Sequence, residues 1–218
     1  MEILREIAES VGQGEDEKVA ALARAALDGG SAAREVLERA LIAGMADVGE
    51  RFRRHEIFLP DVLLAARAMN AGVEVLKPHL AGEGVPTRGK VVIGTIQGDL
   101  HDIGKSLVGI MLRGAGFEVI DLGHDVSPER FVDVAEREGA GVVGMSALLT
   151  TTMQGMAKVV DLLRRRGLAG KVKTIVGGAP VSDEFAREIG ADAHGYDAAN
   201  AVERVSGLFE AIRGARAS

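Results

Sequence analysis

The sequence predicts an α/β fold in two parts: an N-terminal four-helix bundle over residues 1–84, then a flavodoxin-like (Rossmann-like) five-stranded parallel sheet with flanking helices over residues 88–218. Three observations predict it. Up to about residue 80 the apolar residues recur at helical spacing. From Lys90 onward, short β-branched runs alternate with helical stretches, the pattern of a parallel sheet buried on both faces. Between the two lies Ala81–Arg88, where Gly82, Gly84 and Pro86 give the composition of a linker.

The elements follow in order. A first helix runs from Met1 to about Val11. A second runs from Asp16 to about Leu27 and is stopped by Gly29-Gly30. Ser31 is placed to cap a long third helix that reaches about Arg54, with Val36, Leu37, Ala40, Leu41, Met45 and Val48 on one face. Pro60 suits the first position of a fourth helix ending near Leu76, and Pro78 follows that end. Short connections make this a bundle. Strands are predicted at Lys90–Thr95, Phe117–Asp121, Gly141–Met145, Val172–Val176 and Ala191–His194. Helices begin near Ile103, Ser127, Thr150 and Ser182, and a last one runs from about Ala198 to Arg213. Five such strands suggest the order 2-1-3-4-5.

Composition narrows the function. The net charge of -6 and an aromatic content of 3% disfavour nucleic acid, which needs a basic field and stacking platforms. With no cysteine, disulfides, thiolate metal sites and iron–sulfur clusters are excluded. Glu2, Arg5 and Glu6 interrupt any apolar leader, and no apolar run reaches membrane-spanning length. A soluble, cytoplasmic protein is expected, with no membrane partner.

In a sheet of this order, ligands bind beyond the carboxyl ends of the strands, beside the first strand. The loop there reads Gln97-Gly98-Asp99-Leu100-His101-Asp102-Ile103-Gly104-Lys105-Ser106. It holds one imidazole between two carboxylates. A lone histidine in such a loop is compatible with a solvated turn; its placement at the switch point favours a ligand. One histidine without cysteine or a second nearby histidine does not build the usual zinc site. It can supply an axial ligand to a metal already held by a macrocycle. Asp99 could accept the other ring N–H, setting the tautomer. Elsewhere, His55, His79 and His194 read as surface or packing residues, and Arg164-Arg165-Arg166 as a solvated helix end.

Asp99-x-His101-x-x-Gly104, set in Gly98–Lys105, resembles the cobalamin-binding signature of methionine synthase and of the corrinoid proteins of methylamine, methanol and O-demethylase methyltransferase systems. Ser146-x-Leu148 and Gly177-Gly178 stand at the matching places after the third and fourth strands. The helical half is similar to that family's cap domain through Gly44-Met45, Val48-Gly49-x-x-Phe52, Ile57-Phe58-Leu59-Pro60 and Ala65-Ala66-x-Ala68-Met69. The similarity covers all but the first ~15 residues and the last few.

The resemblance implies cobalamin or a related corrinoid, bound base-off and His-on, with methylcobalamin as its loaded form. His101 would be the cobalt ligand. Gly98, Asp99, Asp102, Ile103, Gly104 and Ser106 would surround the cofactor beside it. Ser146, Leu148 and Thr150 would line the slot for the displaced dimethylbenzimidazole tail. Gly177 and Gly178 would let the backbone approach that tail, and Ala198 would touch the nucleotide. Thr152, where methionine synthase has serine, would join Asp99 and His101 in a hydrogen-bonded relay that serves catalysis. Phe52 and Leu59, with Glu38 near the same face, would cover the upper, methyl-bearing side. His124, in the loop after the second strand, lies near enough to be considered.

The implied function is that of a methyl carrier. It takes a methyl group on cobalt from a substrate-specific methyltransferase and passes it to a second methyltransferase with a thiol or tetrahydrofolate-type acceptor. A reductive activase would be a further partner. The chain has no module of its own for these substrates, so it would act as a subunit and not alone. Two alternatives are the small subunit of an adenosylcobalamin mutase, which lacks such a cap, and a cobalamin-dependent light sensor, which normally adds a DNA-binding domain. A third is a helical-plus-flavodoxin-like binding module without corrinoid.

Overall fold

The structure, a computed structural model, describes residues 2–80 and 87–217. The Gly/Pro segment predicted as a linker falls largely outside the described residues. By internal contacts the chain divides into two compact units. One comprises residues 1–87 with 113–116, the other residues 88–112 with 117–218.

The first unit is helical: α1 (Glu2–Gln13), α2 (Asp16–Asp28), α3 (Ala33–Val36), a π-helical segment (Leu37–Ile42), α4 (Ala43–Arg53) and α5 (Leu59–Leu80). The face read from the sequence is the face that is buried: Val36, Ala40, Leu41 and Val48 are fully enclosed, and Leu37 and Met45 nearly so. They close on Ile7 and Val11 of α1, Val19 of α2 and Val62 and Leu76 of α5, all inaccessible to solvent. Each such Val, Leu, Ile or Met side chain contributes ~1.5–3 kcal/mol on burial.

Three local expectations are corrected. Ser31 does not cap the third helix. Gly30 takes φ 87° and Ser31 donates its backbone N–H to Ala26 O, so Ser31 finishes the end of α2. The N-cap of α3 is Ala32, which has no side-chain cap bond. The third helix is also not one regular α-helix, since Leu37–Ile42 winds as a π-helix in its middle. Finally, α5 runs past Leu76 and contains Pro78. Leu76 and Leu80 are both buried, one turn apart, and this packing holds the last turn despite the lost N–H. At its other end Asp61 Oδ2 accepts the Phe58 backbone N–H at 2.8 Å, so the helix starts one residue before Pro60.

The second unit alternates strand and helix: β1 (Lys90–Thr95), α6 (Ile103–Gly114), β2 (Glu118–Asp121), α7 (Pro128–Glu138), β3 (Val142–Ser146), α8 (Thr150–Arg165), β4 (Lys173–Gly177), α9 (Asp183–Ile189), β5 (Ala193–Gly195) and α10 (Ala198–Ala217). All pairings are parallel and the order is β2-β1-β3-β4-β5, as the sequence predicts. Ser127 and Ser182 cap α7 and α9 through their side chains. Val92, Val143, Val159, Met156 and Phe131 fill the core beneath α7 and α8. The chain leaves β1, forms β2 on one side, then crosses to place β3 on the other, with Thr95 in register with Ser146. The loops after β1 and β3 therefore leave the same edge of the sheet as neighbours.

Candidate functional site

The loop after β1 is held by what the sheet order brings beside it. Asp99 is completely buried. Its Oδ1 accepts the His101 backbone N–H at 3.0 Å and lies 2.8 Å from His101 Nδ1. Its Oδ2 accepts the Leu148 N–H at 2.8 Å, the Leu149 N–H at 3.2 Å and the Thr152 hydroxyl at 2.9 Å. Burial pushes the Asp99 carboxyl up. The bonds from the His101 and Leu148 amides, the His101 ring and the Thr152 hydroxyl outweigh it and hold the group well below the usual carboxylate range. An ionised Asp99 has only acceptors, so Nδ1 carries a proton and Nε2 is the ring nitrogen that Asp99 leaves unengaged. The His101 side chain is 54% exposed. Thr95, buried at the end of β1, donates its hydroxyl to His101 O at 3.2 Å and fixes the backbone from below.

The surroundings suit a large, largely apolar ligand. Ile103 and Leu100 are 76% and 66% exposed, and Leu148 and Leu149 are 44% and 41% exposed. These four accessible aliphatic side chains lie on the histidine loop and on the loop after β3, which donates to Asp99. A Cβ on Gly104 would meet no atom within 4 Å, so the first turn of α6 is open at that point. Asp102 is half-buried and Ser106, one turn on, donates its backbone N–H to Asp102 O.

The other predicted residues divide between the two units. Ser146 ends β3, and its carbonyl accepts the Ile96 N–H. Thr150 is exposed at the first turn of α8. Gly178 takes φ 121°, and a Cβ there would stand 1.9 Å from Ala147 O; one on Gly177 would stand 2.8 Å from Gly195 O. The protein's own backbone thus requires both glycines, where the loops after β3, β4 and β5 come together. Ala198 is buried at the start of α10. His124 is exposed, with no ring bond among the described contacts. In the helical unit Glu38 is exposed on the π-helical segment and bound to Arg34 at 2.9 Å, and Phe52 and Leu59 are half-buried. His55 and His79 are exposed, and His194 is buried with Nδ1 3.2 Å from Asp183 Oδ1.

Sequence reasoning missed three residues that hold the histidine loop: Thr95, Lys105 and Asp125. Lys105 is almost wholly buried and Asp125 has a left-handed backbone, φ 55°. The available signal was a polar residue at the carboxyl end of a strand or in the next turn, where this sheet gathers its loops.

These features define a doubly wound α/β protein with one oriented imidazole and exposed aliphatic side chains at the switch point between β1 and β3. Two family models, each described as a B12 binding domain, match residues 89–205 and 3–77. Trimethylamine corrinoid protein 1 of Methanosarcina mazei is 44% identical over 206 residues, which cover 94% of this chain and 95% of that protein. The dimethylamine corrinoid protein of Methanosarcina barkeri is 43% identical over 209 residues, 95% and 98% of the two chains. A chain in the crystal structure of the methanol:cobalamin methyltransferase complex from Methanosarcina barkeri superposes with a TM-score of 0.88 at 32% identity, covering 96% of this chain and 80% of that one. The chain belongs to the B12-binding family, among its corrinoid proteins.

The site's residues fit that cofactor. A corrinoid brings its metal already held by a macrocycle, so the protein would need to supply a nitrogen donor and apolar surroundings. His101 Nε2 and the Leu100, Ile103, Leu148 and Leu149 side chains are of that chemistry. Among the described residues no helix is long and apolar enough to cross a membrane.

Proposed function

We propose that this protein is the methyl-carrying subunit of a corrinoid-dependent methyltransferase system. It works in the cytoplasm between a methyltransferase that loads it from a small methylated substrate and a second that unloads it, with a reductive activase to maintain it. The observation that carries this reading is the buried Asp99 carboxylate, which aligns His101 as a single outward imidazole at the switch point. The relatives named as corrinoid proteins, and the solved methyltransferase complex, support the carrier role and its partners. The match of residues 3–77 to a B12 binding domain supports a cap, which favours the methyl carriers over a mutase subunit.

The corrinoid, when bound, supplies a cobalt centre able to accept a methyl group and to give it up. The chain's own residues do the rest. His101 would offer Nε2 to the metal. Asp99 Oδ1 would hold the Nδ1 proton and with it the direction in which the ring points. The Thr152 hydroxyl, placed between Asp99 Oδ2 and Leu149 O, adjusts how strongly Asp99 accepts. In this reading Gly98, Asp102, Ile103, Gly104 and Ser106 border the macrocycle. Ser146, Leu148, Thr150, Gly177, Gly178 and Ala198 would hold its nucleotide tail, and Glu38, Phe52 and Leu59 of the helical unit are assigned to cofactor binding by the family resemblance.

Reconstitution with cobalamin tests the proposal. A stoichiometric red complex with a base-off absorption spectrum is expected. A protein that retains no corrinoid through gel filtration, or holds it base-on, overturns the reading.

A further inference from the structure

Asp99 aims the His101 ring, but Asp99 lies in the same loop and needs something to hold it. Part of the answer comes from the loop after β2. Asp125 Oδ1 accepts the Gly98 N–H at 2.7 Å, and the Asp125 N–H donates to Asp99 O at 3.1 Å. One residue, 27 positions away from Gly98, thus ties the backbone on both sides of the Gly98–Asp99 peptide. It does so from φ 55°, a conformation that an L-residue other than Gly, Asn or Asp rarely takes. Gly98 itself has φ 85°, so the segment before Asp99 has glycine freedom and gains from an external tie.

Asp125 is in turn presented by a buried cation. Lys105 sits one turn beyond His101, with its side chain 4% exposed. Its ammonium donates to Asp121 Oδ1 at 2.6 Å and to Gly123 O at 3.3 Å, with Asp102 Oδ2 3.8 Å away. Asp121 Oδ1 also accepts the Gly123 N–H at 2.9 Å, and Gly123 O accepts the Thr95 N–H. Burying a lysine is unfavourable unless its protons are used. Here they set the turn from which Asp125 reaches the histidine loop.

We infer that Asp125, backed by Lys105, is a positioning residue for the axial histidine, holding the backbone that carries Asp99 and His101 from the side opposite Thr152. The inference rests on the reading of His101 as the cobalt ligand. Asp125 touches neither metal nor corrin in this role. It lowers the freedom of the loop before ligand arrives, so its effect falls on ligation and retention.

The test uses the full chain with Asp125→Gly, Asp125→Asn and Lys105→Met. Glycine keeps the left-handed backbone and removes the acceptor; asparagine keeps both. In the apo protein, amide hydrogen exchange at Gly98 and His101 is expected to rise about tenfold or more in Asp125→Gly and to return in Asp125→Asn. With cobalamin, the glycine variant is expected to bind about tenfold more weakly, in the range of changes behind a metal ligand. Its Co(II) spectrum is expected to show a mixture of imidazole-bound and imidazole-free cobalt. Lys105→Met is expected to change both in the same direction, and it carries the test should the glycine variant not fold. Wild-type exchange, affinity and nitrogen splitting in a folded Asp125→Gly or Lys105→Met protein overturn the inference. So does an asparagine variant as impaired as the glycine one. If the wild-type protein itself shows no imidazole nitrogen on cobalt, the ligand reading fails. The apo exchange measurement then decides the positioning role by itself.

Discussion

Asp99 and His101 are two residues apart, and a single carboxylate oxygen, Asp99 Oδ1, serves both the backbone N–H and the ring Nδ1 of His101, at 3.0 and 2.8 Å. Ring and backbone are therefore fixed against the same atom. With Nδ1 occupied, any metal has to be met by Nε2.

His101→Ala follows directly. The variant is expected to retain corrinoid weakly, or without a protein nitrogen on the metal. Co(II) electron paramagnetic resonance with 15N-labelled histidine reads this. A nitrogen splitting that survives the substitution sinks the ligand assignment.

Asp99→Asn tests the buried carboxylate. An amide cannot accept from five donors, so an N–H is left facing a donor at a cost of about 1–3 kcal/mol at neutral pH. The pH dependence has a definite sign. The folded-state carboxyl titrates below its ordinary value of 3.8, so the unfolded chain binds the proton first as pH falls. The contribution of Asp99 is complete well above 3.8 and is lost as pH falls below it. Urea unfolding is expected to show a gap between wild type and variant at pH 7 that narrows towards pH 3. A gap that is constant with pH contradicts the assignment of an ionised Asp99.

Thr152→Val removes the hydroxyl and keeps the shape, whereas Thr152→Ser keeps the hydroxyl. In Val, Asp99 Oδ2 retains its two amide donors, so the fold is expected to survive with a loss of about 1 kcal/mol. Methyl transfer with partner enzymes is expected to fall by about 10–100-fold in Val and to stay near wild type in Ser. The pH dependence of the Co(II)/Co(I) potential gives an independent reading. If Val and Ser behave alike in both, Thr152 has no part in a relay.

Gly178→Ala is expected to destabilise the sheet unit by about 2–4 kcal/mol. The new methyl would meet Ala147 O at 1.9 Å, and alanine disfavours φ 121°. Chemical denaturation of the apo protein measures this without any cofactor. A loss under about 0.5 kcal/mol would show that the loops after β3 and β4 can separate freely.

Much of this protein is legible along the chain. Strands β1 to β4 lie within one residue of their predicted starts; for β1, β3 and β4 the reason is that a doubly buried parallel strand writes its burial as a continuous apolar, β-branched run, as in Val91-Val92-Ile93. The buried stripe Val36 to Val48 was visible for the same reason: burial repeats with the local helical period. His101 stood out because a Gly-flanked loop after a first strand has a known destination in a sheet of this order. The misreadings at Ser31 and Pro78 arise where a local rule met a stronger neighbour, a Gly30 turn that claims the Ser31 amide and a buried Leu80 that extends the helix.

What only the tertiary structure decided is how the site is held. The donors to Asp99 Oδ2 lie 49 to 53 residues away, and the acceptor for Gly98 lies 27 away on the other flank. The Thr152 bond was expected from the family resemblance, but nothing in the local pattern of Leu148, Leu149 or Asp125 points to theirs. They exist because the chain crosses from β2 to β3, so that the loops from both neighbours of β1 close around one turn. Hydrophobic periodicity is a property of a few consecutive residues, and a sequence displays it. A hydrogen bond between distant loops depends on strand order and register, which form only when the sheet assembles.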